Sequence, residues 1–165
     1  MTEIHRGRWS AAVEGELVVF LIGMRINKPW KAWKWLPVAR AMGPMQAELR
    51  ANPDLGCLHI ENWFGRTTIS LQYWTDFASL DAYARGELHL PAWRDFNRRV
   101  RDSGDVGIWH ETYRVPPGAY ETIYGNMPCF GLASAGVHRP TAEIGQSAQH
   151  RIDSSAEDRP VVEPY

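Results

Sequence analysis

The chain carries six histidines. Two of them, His89 and His110, stand among bulky apolar residues in "ELHLPAWRDFNRRVRDSGDVGIWHETY", residues 87–113. An imidazole in such company has three uses. It can move protons near neutral pH, it can bind a metal through a neutral ring nitrogen, or it can be an ordinary core side chain bonded to a carbonyl. Burying it with no partner costs free energy, so each ring needs a hydrogen-bond partner, a metal, or a cavity holding solvent or ligand. A metal centre drawn from His59, Glu61, His89, His110 and Glu111 is conceivable, but no HxH, HxxE or HExxH spacing supports it. GxSxG, P-loop and GxGxxG patterns are also missing from the sequence. Two readings stay open: core histidines, or a cofactor held by one imidazole in an aromatic pocket, a description that suits haem.

The elements that would position these rings follow from periodicity. On a helix from His89 to about Asp102, with Pro91 in its first turn, Trp93, Phe96 and Val100 fall on the side of His89, while Arg94, Asp95, Arg98 and Arg101 take the other. "VGIWHETYRV" (106–115) alternates as a strand, placing His110 with Val106, Ile108 and Thr112, and Trp109, Glu111 and Tyr113 opposite. Upstream, "LVVFLIGMRI" (17–26) reads as a strand covered on both faces. A helix is expected from Pro37, through Val38, Met42, Met45 and Leu49, to Asn52, with a kink at Pro44. Residues 55–65 and 66–74 form a hairpin, and a short helix runs from Thr75 or Asp76 to Gly86. Residues 119–126 add a further strand. The order β-α-β-β-α-β predicts an α+β class, ferredoxin-like antiparallel sheet with helices on one face. Its bare face predicts a homodimer, the dimeric α+β barrel. That domain is expected over residues 8–132, and the Ser, Gly, Pro and charge content of 133–165 predicts a disordered tail.

Composition narrows the function classes. A net charge of −1 lacks the basic surplus that phosphate backbones require, which argues against a nucleic-acid partner. The longest apolar run, Leu17 to Met24, is too short to span a bilayer and has no cleavage pattern after it, so no membrane role is expected. Two cysteines, Cys57 and Cys129, form no framework, which suits a reducing cytoplasm; Cys57 reads as a small core residue. Eight tryptophans, six tyrosines and five phenylalanines supply rings for a core or an apolar cavity around a small-molecule substrate. In "KPWKAWKW" (28–35), Trp30, Trp33 and Trp35 are expected to pack or line a pocket, with Lys31 and Lys34 in solvent.

"HLPAWRDFNRRV", "WHETYRV" and "YETIYGN" together resemble the C-terminal part of the aldoxime dehydratases, haem enzymes that turn aldoximes into nitriles. In that family a histidine opens a helix, a phenylalanine follows seven residues on, and a strand carries a second histidine before a glutamate. Over residues 8–132 the chain is also similar to a monooxygenase-like bacterial group of the dimeric α+β-barrel superfamily. The resemblance implies haem b with His89 as proximal iron ligand, Trp93 and Phe96 beside the cofactor, and His110 as the distal acid/base that protonates a departing hydroxyl. It leaves the other distal groups open; Arg25, Ser70 and Gln72 are the nearest polar candidates, and an arginine of "RRVR" (98–101) could meet propionates. Two further readings compete: a cofactor-free monooxygenase of the same superfamily, and a non-catalytic module that binds a small ligand.

Overall fold

A computed structural model describes residues 3–86 and 89–162. The chain divides into two compact units, Val18–Arg114 and the residues to either side of it. The central unit holds β2 (Leu17–Ile26), α1 (Ala32–Ala51), β3 (Cys57–Trp63), β4 (Ile69–Trp74), α2 (Phe77–Ala84), α3 (His89–Val100) and β5 (Val106–Val115). β1 (His5–Ala12) precedes them in the outer unit. The sheet order is β3-β4-β2-β5, with β2 to β4 and β3 to β4 antiparallel. This is the ferredoxin-like α+β arrangement that the sequence predicts.

Local chemistry explains most boundaries. Val, Ile, Leu and Phe fill β2, and Gly23 within it permits a close approach, since a Cβ there would collide with the Thr68 carbonyl and the Trp109 indole nitrogen. Asp76 caps α2 by accepting from the Ser79 backbone N–H at 2.8 Å, and this bond holds its carboxyl below the usual range. α1 begins at Ala32 rather than at Pro37, so both Pro37 and Pro44 lie inside it. Tertiary contacts outweigh the lost helix bond: Trp35 packs against the cluster of Met24, Val100 and Val106, and Lys31 reaches the buried Asp105 carboxylate at 3.0 Å. Lys28 joins it at 2.8 Å, so Lys31 is paired instead of free in solvent. Trp30 and Trp33, expected to pack, are 71% and 67% exposed: Trp30 lies in the turn before α1, and the helix turns Trp33 off the packed side that Trp35 occupies.

The apolar core of this unit is in two pieces. Val18, Leu49, Ile60, Trp74 and Leu80 close one end of the sheet, and Met24, Val100 and Val106 close the other. Between them lie the middle residues of β2, β4 and β5.

The outer unit is a second antiparallel sheet, β6-β1-β7, with β6 at Tyr124–Met127 and β7 at Val137–Pro140. β6 is shorter than the strand expected over 119–126. The segment expected to be disordered carries α4 (Leu132–Ala135), β7, α5 (Thr141–Ile144) and α6 (Ala148–Ile152). Its polar composition is offset by specific bonds: β7 pairs with β1 from Trp9–Pro140 to Ala12–Val137, and Arg151 joins Glu121 and the carbonyls of Gly145 and Gln146. Among the described residues no helix is long and apolar enough to cross a membrane.

Candidate functional site

The gap between the two core pieces is a cavity of about 390 Å³, with a smaller one of about 190 Å³ beside it. Ile22, Met42, Met45, His89, Trp93 and Ile108 line both. The larger volume falls within the range of small-molecule sites, about 300–1,000 Å³. Its walls come from α1, α2, α3 and the helix-facing side of the sheet.

His89 is the first residue of α3, and its Nδ1 lies 2.9 Å from the carbonyl oxygen of Ala84, the last residue of α2. A carbonyl only accepts, so Nδ1 carries the hydrogen and donates. The neutral ring then presents Nε2 with its lone pair. A helix end supplies this acceptor because its last carbonyls have no partner within the helix. The same arrangement, one ring nitrogen donating to a carbonyl, orients metal-bound histidines generally.

His110 shares the larger cavity with Ile108 and Thr112, as the alternation along β5 requires. It is exposed rather than buried with the aliphatics, and its ring centroid stands 5.8 Å from that of Phe20. Among the described residues its ring nitrogens make no hydrogen bond. Trp93 lines both cavities and stacks on Phe96, with centroids 5.6 Å apart and planes 19° from parallel. Phe96 lines the smaller cavity and packs against the core piece that contains Val100.

Ser70 and Gln72 face the cavities from β4, while Arg25 does not join them: its Nη1 donates to Thr67 Oγ1 at 2.7 Å. Tyr83 also lines the larger cavity, but its hydroxyl is engaged by the Met45 carbonyl and Glu48 Oε2, both at 3.0 Å. Burial and the Glu48 carboxylate hold that phenol well above its ordinary range. The residue that sequence reasoning missed is Gln46, a buried amide on the apolar side of α1. A glutamine next to Met45 and one turn from Met42 in that stripe is a signal, because a buried amide must find partners.

The wider metal cluster does not assemble. His59 and Glu61 pair with each other at 2.9 Å, and no group of three or more potential ligands forms among the described residues. The Cys57 thiol is pushed up to about 11, chiefly by burial, so it is a packed side chain without thiolate character.

Residues 17–132 match the family described as Monooxygenase af470-like. Monooxygenase af470 of Aspergillus fumigatus is 29% identical over 147 residues, which cover 76% of this chain and 53% of that protein. The chain therefore spans about half the length of this relative. Among solved structures, an aldoxime dehydratase in complex with butyraldoxime superposes with a TM-score of 0.60 at 16% identity, covering 89% of this chain and 43% of that one. At that identity the likeness is one of fold. A cofactor-independent oxygenase from Streptomyces nogalater gives a TM-score of 0.43 at 12% identity, over 59% of this chain and 91% of the other.

Proposed function

The chain belongs to the Monooxygenase af470-like family, and on that premise we propose that its central unit is a haem-binding enzyme acting on a small apolar substrate, with aldoxime-dehydratase-like chemistry. One observation carries the reading: His89 is fixed by Ala84 in the tautomer that frees Nε2, in a cavity that His110 also lines. The donor set fits haem b. His89 would hold the iron, with Trp93 and Phe96 against the ring and the sulfurs of Met42 and Met45 in an apolar surround. When bound, haem supplies an iron centre that activates a nitrogen or oxygen atom of the substrate.

The chain's own residues do the rest. The apolar walls exclude water, which strengthens every polar contact inside. His110 serves as the acid/base: its ring nitrogens, which make no hydrogen bond among the described residues, can give a proton to a departing hydroxyl and take one back from carbon. Two copies of the chain form the working molecule in this reading, as the pairing of two one-faced sheets expected from the element order would require. Two free thiols suit a reducing cytoplasm as its setting.

A haem titration tests the proposal. The wild-type protein should develop a Soret band that His89→Ala abolishes and His110→Ala leaves in place. No haem uptake, or a band unchanged in His89→Ala, would reject the ligand assignment. The second reading, a cofactor-free monooxygenase, is favoured by the His110 ring nitrogens, which make no hydrogen bond among the described residues and could deprotonate a substrate that itself reacts with oxygen. A colourless protein that consumes oxygen with substrate, and loses that activity in His110→Ala, would select it.

A further inference from the structure

The floor shared by the two adjoining cavities carries a buried polar row in a mostly apolar surface, with Ser70 in the wall of the smaller and Gln46 and Gln72 in that of the larger. Gln46, Ser70 and Gln72 are 7%, 4% and 5% exposed. Gln46 Nε2 lies 3.1 Å from Ser70 Oγ, and Gln72 Nε2 lies 3.5 Å from the same oxygen. Donor-only groups fix the direction of both amides. The Trp74 indole N–H can only donate, and at 3.0 Å it takes Gln72 Oε1, which turns the Gln72 nitrogen toward Ser70. The Arg50 guanidinium at 3.5 Å, with Asn62 Nδ2 at 3.0 Å, takes Gln46 Oε1, and Gln46 Nε2 is directed to Asn62 Oδ1 at 2.8 Å as well as to Ser70. Ser70 Oγ thus accepts from both amides. Its own hydrogen has no acceptor among the described residues, and the residue lines the smaller cavity, which shares His89, Trp93 and Ile108 with the larger.

We infer that the Ser70 hydroxyl is a substrate-binding donor, polarised by the amides of Gln46 and Gln72, that receives a neutral hydrogen-bond acceptor such as a ketone or amide carbonyl on an apolar skeleton. Two N–H groups donating to a hydroxyl oxygen make its O–H a stronger donor, because chained hydrogen bonds polarise one another. A neutral acceptor suits the site because the row itself presents only amides and a hydroxyl, and an anionic acceptor would lose its hydration and meet the Asp95 carboxylate in the same wall. The inference rests on the cavity being the substrate site, but it does not depend on haem.

The test uses two probes of one shape, benzylacetone and butylbenzene, which differ by a carbonyl in place of a methylene. Binding to the full chain is followed by intrinsic tryptophan fluorescence, to which Trp93, in the wall of both cavities, and Trp63, in that of the smaller, contribute. The ketone-to-hydrocarbon affinity ratio should fall about tenfold in Ser70→Ala, the usual scale of one buried hydrogen bond, and stay within about threefold of wild type in Ser70→Thr, which keeps the hydroxyl. A ratio unchanged in Ser70→Ala overturns the inference while leaving the cavity as a binding site. A ratio that falls as far in Ser70→Thr as in Ser70→Ala overturns it too. Failure of wild type to bind either probe overturns the cavity reading, and the inference with it.

Discussion

His138, on β7, illustrates how a single side chain makes stability depend on pH. Its ring packs against His5, Trp9 and Tyr124 with centroids 4.6, 4.8 and 5.6 Å away, and both ring nitrogens are buried without a partner. Burial first, and His5 second, lower its tendency to take a proton. The unfolded chain binds that proton below about pH 6.5, whereas the folded one resists it. The stability that the neutral ring allows is therefore whole above that pH and is lost as the pH falls through the depressed folded value. Urea midpoints at about pH 7.5 and 5.5 should show the loss, and His138→Phe should flatten it; an equal slope in both proteins would reject the role of His138. At this scale the sequence identified the residue types, including His89, His110, Ser70 and Gln72. It could not supply the tautomer of His89, which depends on a carbonyl brought near by the turn between two helices, or the direction of an amide set by Trp74 and Arg50.

The helices and strands around the cavity have unequal duties. Leu49 on α1 is buried in the core piece with Val18 and Trp74, while Met42, two turns earlier on the same helix, faces open space. Leu49→Ala should cost about 2–5 kcal/mol in chemical denaturation, and Met42→Ala markedly less, since the second enlarges a void that already exists. Equal costs would mean that the gap closes in solution. Elements with a local signature were legible: β5 is found at the residues where its alternation put it, and α2 at its Asp76 cap. β1 was not foreseen, because its partners β6 and β7 lie more than a hundred residues away and "HRGRWSAA" has little apolar alternation of its own. The start of α1 was misplaced for the same kind of reason, the deciding contacts being with Asp105 and with α3.

For the whole molecule, the decisive question is how many chains make one working unit. The proposed pairing predicts sedimentation at twice the mass of a single chain, with haem or without it. A monomer at micromolar concentration would reject the pairing. The ferredoxin-like class was readable from the order of elements, because four strands and two helical segments in that order leave few topologies. The ordered outer sheet was not, since composition reports how much apolar surface a segment has and not which strand edge will receive it.

The division of the apolar core has a consequence for how such a protein can change. Each end of the sheet keeps its own buried anchor, so cavity-wall side chains that belong to neither, such as Ile22 and Met42, can be exchanged at less cost to either one. At those positions stability and selectivity rest on different residues of one scaffold, and a lineage could retune what it accepts there with little change in its melting behaviour.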